Sequence, residues 1–204
     1  MNTLVVVPMK SAVLSKTRLS GCLTDVTRRR VAQHLFRRTI TTLARLQTHV
    51  AFDLAVVTAS AAIARVAETA GATQIADPDR GLNAALASAA RYADENRYDQ
   101  ICIFPADLTA PTDEELVRVI TQQTSADAVL ICPSVDGGTN ALRLRPGAMD
   151  FCFGVGSARR HAHAARQAGL TPITLRLASL SCDIDTAADL AHAMRQDRAL
   201  RAMA

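Results

Sequence analysis

Tryptophan is absent from the 204-residue chain, and aromatic residues make up only 3% of it. Single-stranded nucleic acid is held largely by stacking on aromatic faces, so this composition argues against a nucleic-acid binder. No apolar run approaches the roughly 18 residues that span a bilayer. The longest runs, such as Thr3 to Val7 and Ala126 to Cys132, are of strand length, and no membrane helix is expected. No basic leader precedes the first apolar run. The five cysteines (Cys22, Cys102, Cys132, Cys152, Cys182) are odd in number, widely spaced and without a C-x-x-C pair. That usage points to a reducing cytoplasm, with the thiols buried as small hydrophobes. A G-x-x-x-x-G-K-[ST] phosphate loop is missing, and no local pattern marks a Ser-His-Asp or Cys-His nucleophile.

The chain is rich instead in aliphatic residues: 49% of it is hydrophobic and 21% charged. A chain of this length buries one sizeable core, and no linker, repeat or composition shift divides it, so a single domain over residues 1–204 is expected. Lys and Arg number 23 against 19 Asp and Glu, a net charge of +4. The excess is too dispersed for a DNA-coating surface and suits a small polyanionic substrate better.

Short runs rich in β-branched residues alternate with longer stretches of helical period, the pattern of a mostly parallel sheet covered on both faces. Strands are expected at Thr3 to Val7, Leu54 to Thr58, Thr73 to Ala76, Gln100 to Phe104, Ala128 to Cys132, Ala141 to Leu144 and Ile173 to Leu177. Helices fit Thr24 to Thr48, Ala61 to Ala70, Leu82 to Glu95, Asp113 to Gln123, Ala158 to Ala168 and Ala187 to Met194. In the first helix Arg28, Arg30, Arg37 and Arg38 fall mostly off the apolar stripe and read as a solvated face. The tail after Arg195 is expected to fray.

Ligands of such sheets bind at the carboxyl ends of the strands, where the strand order reverses. The loop after the first strand carries Lys10, Lys16 and Arg18, enough positive charge to neutralise a triphosphate, although an exposed basic loop has the same composition. Asp107 follows the fourth strand directly. Asp183 and Asp185 stand at i and i+2, on one side of an extended segment. Three such carboxylates form a sufficient set for Mg²⁺, which uses one or two protein carboxylates together with substrate phosphates. The alternative is that Asp185 or Thr186 caps the following helix. Gly137-Gly138-Thr139-Asn140 reads either as a cradle for an anion or as a hairpin turn, and Gly154, Ser157 and the first-turn amides of the next helix offer a second anion site. His161 and His163 face different sides of that helix, which argues against a shared metal, and each reads as a satisfied surface or interface histidine.

Taken in order, Pro8-Met9-Lys10, Lys16-Thr17-Arg18-Leu19, Leu82-Asn83-Ala84-Ala85-Leu86, Pro105-Ala106-Asp107-Leu108, Gly137-Gly138-Thr139-Asn140-Ala141-Leu142, Phe153-Gly154-x-Gly-Ser157 with His161, and Asp183-Ile184-Asp185-Thr186 with Asp189-Leu190 form a recognisable series. It resembles the 2-phospho-L-lactate guanylyltransferase family, which includes phosphoenolpyruvate and 3-phosphoglycerate guanylyltransferases, over residues 3 to 192. The resemblance implies a single Rossmann-like nucleotidyltransferase domain acting on GTP and a small phospho-acid in coenzyme F-420 biosynthesis. It implies Mg²⁺ on Asp107, Asp183 and Asp185, the phospho-acid on Thr139, Gly154 and Ser157, and the nucleotide on Lys10, Lys16, Arg18 and Asn83. Lys16, Arg18 and Asp107 would be the catalytic residues. The sequence leaves the oligomeric state open, a homodimer included. Two alternatives keep the fold: a nucleotidyltransferase for a molybdopterin or sugar-phosphate acceptor, although Pro8-Met9-Lys10 replaces their usual Gly-rich loop, and a non-catalytic nucleotide-binding domain.

Overall fold

A computed structural model describes residues 2–10, 21, 23–184 and 186–203. Seven strands form one sheet: β1 (Thr3–Pro8), β2 (Asp53–Thr58), β3 (Thr73–Ala76), β4 (Gln100–Ile103), β5 (Ala128–Pro133), β6 (Thr139–Leu144) and β7 (Thr171–Thr174). The helices between and after them are α1 (Asp25–Leu46), α2 (Ala61–Thr69), α3 (Leu82–Glu95), α4 (Asp113–Thr121), α5 (Ser157–Gln167), α6 (Ala187–Gln196) and α7 (Arg198–Arg201). The strand order is β3-β2-β1-β4-β6-β5-β7. β1 pairs in parallel with β2 and β4, while β6 runs antiparallel between β4 and β5. The architecture is the expected mixed, mostly parallel sheet with helices on both faces.

Strand alternation divides the core between two faces. Val5, Val7, Leu54 and Val56 pack with Phe36, Ile40 and Leu43 of α1 and with Leu116, Val119 and Ile120 of α4. Leu4, Val6, Ala55, Val57, Ile101 and Ile103 meet Ala85, Leu86 and Ala89 of α3 and Ala165 of α5. Because both faces are covered, the central strands read as unbroken apolar runs. Thr24, Thr112 and Thr186 cap α1, α4 and α6 with their side chains, and Thr186 forms a reciprocal capping box with Asp189. The cap of α6 is therefore Thr186.

Four expectations are corrected. The last strand lies two to three residues earlier than expected, because Leu177 leaves the sheet edge to join Leu180 in the core beneath α1 and α4. The arginine face of α1 is not simply solvated: Arg28 is buried and bonds Asp25 at 2.5 Å, and Arg38 is half-buried in a network described below. The tail does not fray after Arg195, because Leu200 of α7 is fully buried with Val31, Leu35, Ile184, Leu190 and Ala193. Of the cysteines described, Cys102 and Cys132 are buried, but Cys152 is half-buried and Cys182 exposed. Cys22 lies outside the described residues. Among the described residues no helix is long and apolar enough to cross a membrane.

Candidate active site

The strand order turns between β1 and β4, so the loops at their carboxyl ends bound the crevice that such a sheet offers to ligands. Because β6 is antiparallel, its first residue belongs to this same edge. Ile103 of β4 pairs with Leu142 of β6, and Thr139 lies three residues beyond Leu142, level with the loop that carries Asp107.

That loop is fixed from two sides. On α1, the Thr39 hydroxyl donates to the Ala106 carbonyl at 3.3 Å, and the Arg38 guanidinium donates to the carbonyls of Leu108, at 2.5 Å, and Thr109. Arg38 also donates to Asp197 at 3.0 Å, and His34, one turn earlier, lies 2.8 Å from the same carboxylate oxygen. Burial works to raise the pKa of Asp197, but His34 and the N–H groups of Leu200 and Ala199 hold it below the usual carboxylate value. On the other side, Leu108 forms an antiparallel bridge with Asp183, and the Thr109 N–H reaches the Cys182 carbonyl at 3.1 Å. The carboxylates of Asp107 and Asp183 therefore belong to two paired segments, joined by Leu108.

The segment before Asp183 also reaches the β5–β6 turn, since the Val135 N–H donates to the Ser181 carbonyl at 2.9 Å. It is braced in turn by Glu115 of α4, which accepts the N–H groups of Ala178 at 3.0 Å and Ser179 at 2.8 Å. The turn is a hairpin, as one expectation had it. The Asp136 carboxylate accepts the Ser134 hydroxyl and the Gly138 N–H, and a Cβ on Gly138 would lie 2.6 Å from the Ser134 oxygen, so a larger residue there would displace the Ser134 hydroxyl. The hairpin also delivers Thr139 inward, and a register shift between Cys132 and Pro133 marks the point.

Thr139 and Ser157 are both buried, with 3.0 Å between their hydroxyl oxygens. Thr139 Oγ1 also lies 3.0 Å from His161 Nδ1, and His161 Nε2 accepts the Cys152 N–H at 2.9 Å. His161 is thus a buried core residue and not a surface histidine. Burial, with the nearby Arg160 charge adding to it, pushes its pKa down to about 4, and the ring is neutral at physiological pH. The edge of His161 meets the Phe153 ring, with centroids 4.7 Å apart. Phe153 is held at its backbone by Asn83 of α3, whose amide accepts its N–H at 2.8 Å and donates to its carbonyl at 3.3 Å. Gly154 follows at φ +124°, a conformation open to glycine.

The expectation that the first-turn amides of α5 would form an anion site is corrected in part. The Ser157 N–H is taken by the Gly154 carbonyl at 3.0 Å and the Ala158 N–H by the Gly137 carbonyl at 3.2 Å. What the start of α5 offers is the Ser157 hydroxyl, paired with that of Thr139 on β6, and not a ring of amides.

Lys10, at the end of β1, reaches Asp79 at 3.7 Å across the mouth of the loop before α3. Lys16, Arg18 and Asp185 lie outside the described residues. Among the described residues no three His, Cys, Asp or Glu side chains come together as a metal cluster. Asp107 and Asp183 lie in paired segments, and their carboxylates are of the kind that a hard divalent cation takes together with substrate phosphates. Thr109, two residues after Asp107, carries a buried hydroxyl with no hydrogen-bond partner, a further oxygen in the same loop.

Sequence reasoning missed the bracing groups. Arg38, Asp197 and Glu115 act between elements far apart in the chain, and the His161 hydrogen bonds join α5 to β6 and to the loop before α5. The only local sign was the i, i+4 spacing of His34 and Arg38 on α1.

Residues 3–199 match the family model described as guanylyl transferase CofC like. The chain is 35% identical over 193 residues to a 3-phospho-D-glycerate guanylyltransferase of Colwellia psychrerythraea, covering 93% of this chain and 90% of that protein. It is 32% identical over 186 residues to a phosphoenolpyruvate guanylyltransferase of Chloroflexus aggregans, covering 89% and 91%. Among solved structures, CMP:2-keto-3-deoxy-manno-octonic acid synthetase complexed with CTP superimposes with a TM-score of 0.60 at 11% identity, covering 99% of each chain. At that identity the likeness speaks for the fold alone.

Proposed function

Since the chain belongs to the guanylyl transferase CofC-like family, we propose that it is a single nucleotidyltransferase domain that moves GMP from GTP to the phosphate of a small three-carbon phospho-acid. The acceptors in view are 3-phosphoglycerate, phosphoenolpyruvate and 2-phospholactate, and the product would feed coenzyme F-420 biosynthesis. The observation that supports this reading is backbone pairing: the segment of Asp107 bridges that of Asp183 through Leu108, and the residues just before Asp183 also bond the turn that leads into Thr139, whose hydroxyl pairs with that of Ser157.

In the reaction a phosphate oxygen of the acid attacks the α-phosphorus of GTP. One oxygen–phosphorus bond forms, the bond from the α-phosphorus to the bridging oxygen breaks, and pyrophosphate leaves. The attacking phosphate is already ionised at neutral pH, so no enzyme nucleophile is required, which agrees with the missing triad. The residues' task is to align two polyanions and offset their repulsion. We assign Lys10, Lys16, Arg18 and Asn83 to GTP, with Lys16 and Arg18 nearest the transferred charge. Thr139, Gly154 and Ser157 are assigned to the acid. Asp107, Asp183 and Asp185 would hold Mg²⁺, which when bound supplies positive charge at the phosphates.

Asp107→Asn, Asp183→Asn and Asp185→Asn test this assignment through pyrophosphate release from GTP with the acid. Each is expected to lower turnover by about a hundredfold or more with the fold intact. A near-normal rate in any one removes that residue from the metal site. A reading as a non-catalytic nucleotide-binding module would require silence in the parent protein as well.

A further inference from the structure

His161 is fully buried, and the reaction above makes no use of it. Its hydrogen bonds nevertheless determine where its proton sits. Nε2 accepts the backbone N–H of Cys152, which has no other role than donor, so in the neutral ring the proton is on Nδ1. The Nδ1–H therefore donates to Thr139 Oγ1, and Thr139 has no acceptor on that side for its own proton. The remaining count is short. Thr139 and Ser157 bring two hydroxyl protons, and their mutual bond uses one. His161 takes neither. Among the described residues no protein atom accepts the second, so the pair keeps one hydroxyl proton without a protein acceptor, suited to an acceptor such as an ionised oxygen.

We propose that His161 is a positioning residue that locks the Thr139–Ser157 pair as a one-proton donor toward the anionic oxygens of the phospho-acid. The inference rests on the assignment of that pair to the acid. The same ring braces the wall of the site, since Cys152 hangs from His161 and the adjacent Phe153 from Asn83. A histidine of this kind contributes through the tautomer it is held in, and it exchanges no proton during turnover.

The test compares three variants, reading apparent KM for the acid and for GTP separately. Thr139→Val tests the site assignment: it is expected to raise the KM of the acid about tenfold or more, with GTP within about twofold. His161→Leu keeps bulk and removes the donor, and a similar rise for the acid alone is expected. His161→Asn places an amide nitrogen where Nδ1 stood, so it keeps the donor to Thr139 while losing the Cys152 bond, and the KM of the acid should stay within about threefold of the parent. A normal KM in His161→Leu beside a raised one in Thr139→Val overturns the role of His161 and leaves the site assignment standing. A normal KM in Thr139→Val overturns both. Equal damage in the Leu and Asn variants also overturns the proposal, because the donor would then not be what matters. Nitrogen-15 NMR of the imidazole in the parent protein reads the tautomer without any variant: Nδ1–H is expected, and Nε2–H would contradict the proposal.

Discussion

Replacing Arg38 by alanine removes three hydrogen bonds at once: two to the carbonyls of Leu108 and Thr109 and one to Asp197. Leu108 and Thr109 are both buried, so their carbonyls would be left short of a partner. A hydrogen bond from a charged donor is worth about 1.5 to 3 kcal/mol, and effects within one network do not add. Arg38 is half-exposed enough for some water to enter, and Asp197 would keep His34. A net loss of about 3 kcal/mol is the reasonable scale. For a chain of this length each kcal/mol shifts Tm by about 2 to 4 °C, so a fall of roughly 6 to 12 °C is expected. The loop would remain tethered through Thr39 and the Leu108–Asp183 bridge, so the chain should still fold. What should suffer is the register of Asp107 against Asp183. Turnover titrated with Mg²⁺ should need several-fold more metal for half-activation, with the KM for GTP at saturating metal nearly unchanged. Arg38→Lys, able to reach only part of the set, should fall between. A Tm within about 2 °C of the parent together with an unchanged Mg²⁺ requirement would refute the bracing argument.

Lys16→Ala and Arg18→Ala should each raise the KM for GTP about tenfold or more at saturating acid, and an unchanged value would return them to a solvated loop. His161 has a folded pKa of about 4 against 6.5 for the free side chain, so the unfolded chain binds more protons between those values. The stability it contributes is complete above pH 6.5 and is lost as pH falls toward 4, on the order of 3 kcal/mol. Urea titrations across that window should show this slope flattened in His161→Asn, and an identical slope in the variant would assign it to other groups. Leu200→Ala should cost about 2 to 4 kcal/mol in the same assay, as for a core leucine, whereas a frayed tail would give almost nothing.

The sheet was largely legible in the sequence because its central strands are buried on both faces and bounded by Gly, Pro and polar turns. Helix α3, Leu82–Glu95, could be placed to the residue for the same reason: an alanine-rich face and the preceding Gly81 mark it. Strand β7 was harder, since it is a four-residue edge whose end is decided by Leu177 turning into the core. Arg38 and Arg143 show the limit more sharply. Arg38 reads as part of a solvated face and nothing local marks Arg143 within its expected strand, yet Arg143 is buried in the sheet and donates to the carbonyls of Val119 and Ile120 at the end of α4, at 2.9 and 2.7 Å. Only tertiary structure supplies those acceptors. The residues around the site were legible as types, while the pairing of Leu108 with Asp183, 75 residues apart, and the hydrogen bonds of His161 to Thr139 and Cys152 were not, because each depends on how separate segments meet in the fold.

The central claim is guanylyl transfer to a phospho-acid, and product mass spectrometry tests it most directly. The protein would be mixed with GTP, Mg²⁺ and equal amounts of 3-phosphoglycerate, phosphoenolpyruvate and 2-phospholactate, and the products weighed. The account predicts pyrophosphate together with at least one acid joined to GMP through a diphosphate. Intact GTP with all three acids, or GMP transferred only to a sugar phosphate or pterin offered in parallel, would contradict it.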